Sequence, residues 1–516
     1  MNEHVVHQDE ISSSTEISTK EILKITAFLN NGDIFGAMAF CENLLASSPK
    51  SAAIYNVLGI IAAKTHDLNK SIHYFNQAIN FNPNEAVYHN NLSNALKKQG
   101  NLSLAIQHLH QALMLSPNYA EAYNNLGSLY YTEGRIKEAI PYFEKAIRLN
   151  PNYWEPHYNL ANSLIKEDQV NIAISHYQAT LKIMPNNMAA KQNLAMAYIA
   201  TNQHQEALPF LEEAVKNNPE HAEIHAQLAE VYLDIGRTIN AIETFERALQ
   251  LAPKQAVWHH NLAILYLREQ QQDQALLHFK EALSYDPNNQ TALHMVHALA
   301  NDSIQNAPIK YVSDLFDQYS KYYNNHVQEK LQYKVPELLR QIISKQLKDK
   351  IKALNILDLG CGTGLCSIYF RDLAKYLIGI DLSKEMLAQA KMLNSYDALC
   401  RGNIIQSIPG ENSSFFDIII SGDVLVYCGE LDNIFQLCGK ALKNNGLFAF
   451  TTEKLAHGNY QLQKTGRFAH SYNYILETLK KHGFLLIDSQ EINLRIQHDK
   501  PIVGMLYLLI KQNISI

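Results

Sequence analysis

Residues 120–151, AEAYNNLGSLYYTEGRIKEAIPYFEKAIRLNP, form one unit of a repeat that decides the fold of the first half of the chain. Leu126 and Tyr130 fall on one face of a first helix, because residues four apart share a helical face. Ala139 and Phe143 fall on one face of a second helix in the same way. Small residues let the two helices approach closely, and large residues fill the space between neighbouring units. The unit therefore predicts a pair of packed helices.

Prolines recur with a period of 34 residues, at Pro49, Pro83, Pro117, Pro151, Pro185, Pro219, Pro253 and Pro287. Each proline ends the second helix of one unit, because proline lacks the N–H that a continuing helix needs. The apolar slots keep the same period, so Leu126 is matched by Leu58, Leu92, Leu160, Leu194, Leu228 and Leu262. A period held this long predicts an α-solenoid and excludes a single globular core.

The slots and the period resemble the tetratricopeptide repeat (TPR) over residues 18–300. The resemblance implies a TPR superhelix of about eight repeats. The first repeat, which ends at Pro49, is degenerate because Lys24 occupies its leucine slot. The stretch after Pro287 is expected to be a closing cap helix, since the end of a solenoid must be covered.

An amide side chain precedes most of the repeat leucines. This amide slot holds Asn91, Asn125, Asn159, Asn193 and Asn261, with Gln227 in the same position and Val57 as the exception. An amide both donates and accepts hydrogen bonds, which suits an extended peptide backbone. The slot resembles the asparagine ladder of the O-linked N-acetylglucosamine transferase repeats, which implies a protein or peptide partner in the concave TPR groove. The alternative is that these asparagines hydrogen-bond within the array.

Composition limits the classes of protein to consider. The net charge of −6 and the isoelectric point near 6.4 argue against a general binder of nucleic-acid backbones, so no nucleic acid is expected as a partner. The six cysteines form no C-x-x-C pair and no metal-ligand spacing, so we expect reduced thiols and no metal site. The sequence has no apolar stretch typical of a signal peptide or of a membrane span. These features predict a cytoplasmic protein.

The period stops near residue 300, and the domain boundaries follow from that point. Residues 1–17 are predicted to be a disordered tail before the array, and residues 301–310 a linker after it. Residues 311–516 are predicted to form a second domain, which carries the chemistry.

The second domain contains an apolar strand that runs into a glycine-rich turn, NILDLGCGTG at residues 355–364. The spacing D-x-G-x-G-x-G is made by Asp358, Gly360, Gly362 and Gly364. The dinucleotide fingerprint would need glycine where this chain has Leu365, so the spacing differs from it. Because glycine has no Cβ, such a turn can bend sharply and let a ligand lie against the backbone.

Strands and helices alternate after this turn. The second strand ends at Asp381, a third segment ends at Asn403, and a fourth runs from Asp417 to Asp423. Apolar strands that alternate with helices predict an α/β doubly wound, Rossmann-like parallel sheet. Ligands of such sheets lie at the carboxyl ends of the strands, where an acid such as Asp381 can accept hydrogen bonds from a ribose diol.

The order of these motifs resembles the class I S-adenosylmethionine (SAM) dependent methyltransferases over residues 310–512. Segments 421–431, SGDVLVYCGEL, and 465–484, TGRFAHSYNYILETLKKHGF, are similar to bacterial fusions of TPR arrays with a methyltransferase domain of type 11 or 12. The resemblance implies SAM as the cofactor. We expect neither a metal ion nor a covalent intermediate.

The resemblance also implies cofactor-binding residues, namely Asp358, Gly360, Gly362, Gly364, Asp381, Asn403, Ile404, Asp423 and Tyr319. The glycines would pass beneath the methionine and ribose parts of SAM, and Asp358 would brace their loop. Asp381 would hold the ribose hydroxyls. Asn403 and the backbone of Ile404 would meet the adenine edge. Many family members have aspartate at the position of Asn403, whose amide would donate to the adenine ring instead.

Other residues are implied at the methionine and acceptor end. Asp423 and Tyr427 would face the methionine end and the methyl acceptor, although Tyr427 could equally pack in the core. Tyr319 or Tyr323 would close over the carboxylate of the cofactor. His470 is either a base near the acceptor or a capping residue.

Three functions fit these features. The first is a SAM-dependent methyltransferase whose TPR groove captures an extended protein segment and delivers it to the C-terminal site. The second is a small-molecule methyltransferase in which the TPRs serve assembly. The third is a TPR scaffold with a SAM-sensing or inactive methyltransferase fold, although the intact glycines and Asp381 argue against inactivity.

Overall fold

The computed structural model describes residues 18–325, 333–347, 353–408, 414–497 and 500–512. The predicted tail, residues 1–17, lies outside these ranges. The chain divides into two compact units, and the division falls between Ala241 and Ile242. The boundary predicted at residues 301–310 stays a prediction.

The first unit is built of consecutive α-helices that pack in pairs. They are α1 (Thr19–Asn30), α2 (Ile34–Ser47), α3 (Ala52–Lys64), α4 (Leu68–Phe81), α5 (Ala86–Gln99), α6 (Leu102–Leu115), α7 (Ala120–Thr132), α8 (Ile136–Leu149), α9 (Trp154–Lys166), α10 (Val170–Ile183), α11 (Met188–Ala200), α12 (His204–Asn217) and α13 (Ala222–Asp234), followed by α14 (Thr238–Leu251) at the division. The predicted α-solenoid is confirmed.

Small residues allow the two helices of a repeat to pack closely. A Cβ on Gly127 would lie 2.8 Å from the ring of Phe143, and a Cβ on Gly59 would lie 2.5 Å from the ring of Phe75. Phe143 and Ala139 are fully buried. The apolar slots of the repeat therefore form the core of the array, as the sequence predicted.

Three repeats contain a hydrogen-bonded pair of histidines, one on each helix: His89–His108, His157–His176 and His259–His278. The two Nδ1 atoms of a pair lie 2.9 to 3.1 Å apart. The Nε2 of the first histidine lies 2.9 to 3.4 Å from a proline carbonyl oxygen. A carbonyl oxygen can only accept, so this Nε2 carries a proton. When the first ring is neutral, its Nδ1 accepts from Nδ1–H of the second histidine.

The second unit continues with helices before its sheet begins. They are α15 (Ala256–Arg268), α16 (Gln272–Tyr285), α17 (Gln290–Ala300), α18 (Ile309–Asn325) and α19 (Val335–Ser344). The predicted cap helix after Pro287 corresponds to α17. Among the helices described here, none is both long and apolar enough to cross a membrane.

In the part of the second unit that the structure describes, nine strands form one sheet. They are β1 (Leu354–Leu359), β2 (Ala374–Asp381), β3 (Ala398–Arg401), β4 (Phe416–Ser421), β5 (Leu442–Leu455), β6 (Tyr460–Leu462), β7 (Phe468–Ser471), β8 (Phe484–Gln497) and β9 (Lys500–Lys511). The order is β3-β2-β1-β4-β5-β7-β6, and β9 pairs with both β5 and β8. The first five strands of this order are parallel, whereas β9 runs antiparallel to β5 and β8, and β6 runs antiparallel to β7.

Helices cover both faces of this sheet. After β1 they are α20 (Leu365–Phe370), α21 (Lys384–Met392), α22 (Ile404–Ser407), α23 (Asp432–Ala441) and α24 (Tyr472–Lys481). One apolar cluster joins the sheet to α19 and α20, and another joins it to α23 and α24. The predicted doubly wound, Rossmann-like sheet is thereby confirmed. Its strand order reverses between β1 and β4, where such sheets bind ligands.

Candidate active site

A cavity of about 290 Å³ opens at the carboxyl ends of β1, β2, β3 and β4. The structure brings seven of the residues named from the sequence into its wall: Gly360, Gly362, Asp381, Asn403, Ile404, Asp423 and Tyr427. Tyr323, the alternative to Tyr319, also lines it. Residues that follow four different strands therefore meet at the point where the strand order reverses.

The glycine turn gives the cavity a wall of bare backbone. Gly360, Gly362 and Gly364 have φ angles of +69°, +54° and +89°, which residues with a side chain rarely adopt. A Cβ on Gly360 would lie 2.3 Å from a methyl group of Val424. A Cβ on Gly362 would have no neighbour within 4 Å, because it would project into open space.

Gly364 has a different position from the other two glycines. It precedes α20 as the N-cap residue. A Cβ there would meet Leu393 at 3.0 Å and Tyr396 at 3.1 Å, so Gly364 packs against the chain beneath the turn. It is not part of the cavity wall described here.

Asp381, at the end of β2, faces the glycine turn. One carboxylate oxygen accepts from the N–H of Gly362 at 2.8 Å, and the other accepts from the N–H of Ser383 at 2.8 Å. Burial raises the pKa of Asp381, and these backbone donors oppose that rise. Each oxygen has a second lone pair, so the side chain can accept further hydrogen bonds in the cavity.

Asp358 lies beneath the turn and not in the cavity wall. It is buried, and it accepts a hydrogen bond of 2.6 Å from the hydroxyl of Tyr396. Burial raises the pKa of Asp358 to about 7, against the opposing effect of the Tyr396 hydroxyl. This hydrogen bond joins the end of β1 to the segment before β3, and the bracing of the glycine turn stays a prediction.

Asn403 begins α22 at the end of β3. Its Oδ1 accepts from the N–H of Ile405 at 2.9 Å, as an N-cap residue does. With the oxygen engaged in this way, the Nδ2 group remains as the donor for a ligand. The contact of this amide with an adenine ring stays a prediction.

Asp423, after β4, is held by buried charged groups. Its φ of +60° is costly for a residue with a side chain, by about 1–3 kcal/mol. The N–H of Asp423 donates to Thr451 Oγ1 at 2.9 Å. Both carboxylate oxygens accept from Arg495 Nη1, at 2.8 and 2.9 Å, and Arg495 Nη2 donates to Glu453. Arg495 is 2% exposed, so this ion pair is fixed inside the domain.

Aromatic side chains form another part of the cavity wall. The ring of Phe316 meets Tyr427 edge-on, with centroids 5.5 Å apart, and Tyr427 is buried against Tyr311. Tyr323 lines the cavity, whereas Tyr319 is not among the lining residues described here and packs edge-on against Tyr323 at 5.2 Å. Tyr323 is therefore better placed than Tyr319 to contact a bound molecule.

His470 lies outside the cavity wall, contrary to a role as a base at the acceptor. It is fully buried in β7, and its Nε2 lies 3.1 Å from the carbonyl oxygen of Gly429. Burial lowers the pKa of His470 to about 4. The geometry instead suits the other interpretation, a residue that hydrogen-bonds and holds the local backbone.

The sequence did not identify the apolar part of the cavity, which includes Ala307, Val312, Phe316, Met386 and Val424. Three of these residues belong to α18 or the segment before it, so α18 covers the cavity. Asp317 of α18 accepts from the hydroxyl of Ser383 at 2.5 Å, which fixes α18 against the start of α21. The aromatic composition of this segment was the available signal.

The amide slot of the repeats is engaged in hydrogen bonds between neighbouring repeats. The Nδ2 groups of Asn91, Asn125, Asn159 and Asn193 donate to Asn56, Asn90, Asn124 and Asn162 over 2.8 to 3.0 Å. Asn261 is half-buried on α15. At least one donor of each bonded amide is therefore used inside the array, as the alternative interpretation holds, and Asn193 Nδ2 also donates to the Tyr158 hydroxyl at 3.2 Å. The Oδ1 atoms, and the second N–H of Asn91, Asn125 and Asn159, are the groups that a peptide could contact.

Family models match both the repeat array and the C-terminal domain of this chain. The family model described as a methyltransferase domain matches residues 357–450. Models of the tetratricopeptide repeat match residues 52–85, 93–134, 120–153, 142–175, 188–231 and 220–288.

Two curated relatives are O-methyltransferases. The malonyl-[acyl-carrier protein] O-methyltransferase of Buchnera aphidicola is 30% identical over 161 residues, which are 30% of this chain and 61% of the relative. The human mitochondrial ubiquinone biosynthesis O-methyltransferase is 28% identical over 131 residues, which are 24% of this chain and 36% of the relative. The chain thus spans less than two thirds of the length of each.

Among solved structures, MamA from Desulfovibrio magneticus is 24% identical, with a TM-score of 0.31 over 33% of this chain and 96% of that one. The pilF protein of Pseudomonas aeruginosa is 20% identical, with a TM-score of 0.37 over 41% of this chain and 94% of that one. The matches to the family models agree with the helix array and the sheet of this chain. The chain therefore joins an array of tetratricopeptide repeats to a methyltransferase domain.

Proposed function

We propose that the protein is a cytoplasmic, SAM-dependent methyltransferase that acts on a protein or peptide recruited by its TPR groove. The observation that carries the cofactor assignment is the cavity in which the bare backbone of Gly362 faces the carboxylate of Asp381. A side chain on Gly362 would project into the open space, so the turn leaves room for a ligand.

The residues of this cavity fit the parts of SAM. Asp381 would accept from the ribose hydroxyls, and the Nδ2 group of Asn403 would donate to the adenine ring. Gly360 and Gly362 would lie beneath the ribose and methionine parts, and Asp423 would face the methionine end. When bound, SAM supplies a methyl group that is already activated by its positive sulfur.

The chain would contribute orientation and exclusion of water. The rings of Phe316, Tyr323 and Tyr427 form an apolar wall, and such a wall favours a reaction in which charge is lost at the sulfur. Holding the acceptor in line with the methyl group would supply much of the acceleration. His470 has no part in this scheme, because its Nε2 is bound to a carbonyl oxygen outside the cavity.

The main alternative is a small-molecule O-methyltransferase in which the repeats serve assembly. The name of one curated relative favours it, since that name describes O-methyl transfer in ubiquinone biosynthesis. The other relative is named for a malonyl group on an acyl-carrier protein. Recruitment through the groove rests on the repeats and on the recurring amide slot.

Replacing Asp381 by asparagine tests the cofactor assignment. Asparagine has a single oxygen, so it cannot accept from both Gly362 and Ser383 and still bind a ribose. We expect the SAM affinity, measured by calorimetry, to fall about 10- to 100-fold, which corresponds to the loss of a hydrogen bond to a charged group.

Asp397→Asn is the matched control. Asp397 accepts from the N–H of Leu377 at 2.7 Å and pairs with Arg371, and it is not among the residues lining the cavity. SAM affinity should stay at the wild-type level in this variant. If the folded wild-type protein gives no heat with SAM, the proposed function is wrong.

A further inference from the structure

The turn between β6 and β7, residues 463–467, lies between the last helix of the repeat region and the cavity wall. We call it the 463–467 turn. The N–H of Gly466 donates to the carbonyl oxygen of Gln463 at 2.9 Å, and the N–H of Gln463 donates to that of Arg467 at 2.7 Å. Two backbone hydrogen bonds therefore close the turn.

His294 of α17 holds one side of this turn. Its Nε2 donates to the carbonyl oxygen of Gly466 at 2.8 Å, and the histidine is fully buried. The carbonyl can only accept, which fixes the proton on Nε2. The ring of His294 also packs against Tyr311 of α18, with centroids 4.3 Å apart. The turn is thus fixed to both helices at this point.

Side chains of α17 and α18 pack closely around Gly466. Gly466 has a φ of +78°. A Cβ at this position would lie 2.9 Å from the hydroxyl of Tyr311 and 3.0 Å from the sulfur of Met295. In addition, Lys464 Nζ donates to the side chain of Gln272, at the start of α16, over 2.7 Å.

The other side of the turn supports the cavity. Arg467 Nε donates to the hydroxyl of Tyr427 at 3.3 Å, and its guanidinium lies 6.0 Å from the centre of that ring. Tyr427 lines the cavity, and its carbonyl oxygen accepts from the N–H of Ala307 at 3.0 Å. A displacement of the turn would therefore move a group that contacts the cavity wall.

We infer that His294 is a positioning residue for the methyl-transfer site: by binding Gly466 it fixes the 463–467 turn, and the turn holds Arg467 against Tyr427. The role at the reaction rests on the proposed function, whereas the mechanical connection from His294 to Tyr427 does not. A helix of the repeat region thereby supports one wall of the cavity. The methyltransferase domain alone would lack this support.

The direct test is a fluorine label on Tyr427, introduced into the full-length chain as 3-fluorotyrosine by stop-codon suppression. Its ¹⁹F resonance reports the surroundings of the ring without any ligand. We expect His294→Leu, which removes the donor but keeps an apolar side chain, to move this resonance in the same direction as Arg467→Met. His294→Gln, which restores an N–H donor of similar reach, should return it toward the wild-type position.

Two matched controls separate this effect from general damage to the fold. His297→Leu changes a histidine of the same helix that pairs with Asp302 near the surface, and it should leave the resonance in place. Gly466→Ala should shift the resonance, whereas Gly458→Ala should not. Gly458 has a similar φ of +84° but nothing within 4 Å of a new Cβ.

SAM affinity provides the second readout. We expect His294→Leu and Arg467→Met each to weaken SAM binding by roughly 2- to 10-fold, as the loss of one hydrogen bond would. The double variant should be no weaker than the more affected single variant, because both changes break the same connection.

The two readouts distinguish failure of this inference from failure of the proposed function. If the ¹⁹F resonance stays in place in His294→Leu and Gly466→Ala, the inference is wrong whatever SAM does. Strictly additive losses of SAM affinity would also overturn it. If the resonance shifts as expected but the wild-type protein does not bind SAM, the connection stands and the proposed function fails.

Discussion

Gly360 and Gly362 share a left-handed backbone conformation but have different surroundings. An alanine Cβ at position 360 would overlap the methyl groups of Val424, whereas one at position 362 would meet nothing. We expect Gly360→Ala to destabilise the methyltransferase domain by about 2–4 kcal/mol, from backbone strain together with overpacking. We expect Gly362→Ala to cost only the strain, about 1 kcal/mol, and yet to abolish SAM binding.

Urea unfolding and calorimetry on the two variants check this prediction. Gly134→Ala serves as the control, because Gly134 has a φ of +78° with open space around it and lies in the array. The opposite pattern, with Gly362→Ala unfolding the domain and Gly360→Ala binding SAM normally, would show that the cavity is not the cofactor site.

At the residue scale, the sequence predicted the parts of the site that depend on local backbone chemistry. The D-x-G-x-G-x-G spacing located the turn, and the acid at the end of the second strand located Asp381. The sequence could not predict the ion pair of Asp423 with Arg495, because 72 residues separate the two and only the sheet brings them together. For the same reason it could not show that His470 is bound to Gly429.

The three histidine pairs are elements that respond to pH. Burial lowers the pKa of His89, His108, His157, His176 and His278, and for His278 the carboxylates of Glu246 and Glu281 oppose the effect. The ring of Tyr266 also packs against His278. In the unfolded chain, histidine titrates near pH 6.5. As the pH falls below this value, the unfolded state takes up protons that the folded pairs do not, so the free energy of unfolding decreases.

We expect this pH dependence to weaken when two of the pairs are replaced by tyrosines. The chain itself supplies the design, since Tyr123 and Tyr142 occupy the same two slots in another repeat and stack with centroids 6.5 Å apart. The variant with tyrosine at positions 89, 108, 157 and 176 should lose less stability than the wild type between pH 7.5 and 5.5. Urea unfolding of both proteins measures the difference, and parallel curves would contradict the prediction.

At the element scale, the repeat helices followed from the sequence because one period fixed every boundary. The histidine pairs could not be predicted from the sequence, because histidines 19 residues apart meet only through the packing of the two helices. The β6–β7 hairpin was also missed. Its strands have three and four residues, too few for an alternating pattern to be distinguished from a loop.

For the whole molecule, the proposed function requires that the array deliver the acceptor. Asn125→Ala with Asn159→Ala removes two amides of the slot, together with their hydrogen bonds to Asn90 and Asn124. We expect methyl transfer from tritiated SAM to the protein fraction of a cell lysate to fall several-fold, because the array would lose contacts that raise the local concentration of the acceptor. SAM affinity should not change.

The control removes the same two hydrogen bonds from the other side, together with the bond from Asn124 Nδ2 to the Tyr153 hydroxyl at 3.2 Å. Asn90→Ala with Asn124→Ala should therefore cost the array at least as much stability, about 1 kcal/mol for each bond, while the slot amides remain. If both double variants lose the same protein methylation, the slot acts only through the stability of the array. Undiminished methylation in the first variant would remove the groove from the mechanism and favour a small-molecule acceptor.

The constant repeat length has a consequence for how such a chain can change over time. The contacts described for the 463–467 turn come from α16, α17 and α18. A duplication or deletion of one 34-residue unit further toward the N-terminus would leave those contacts intact. Under the proposed function, the length of the array could therefore change in whole repeats, and one methyltransferase domain could serve acceptors of different size without being redesigned.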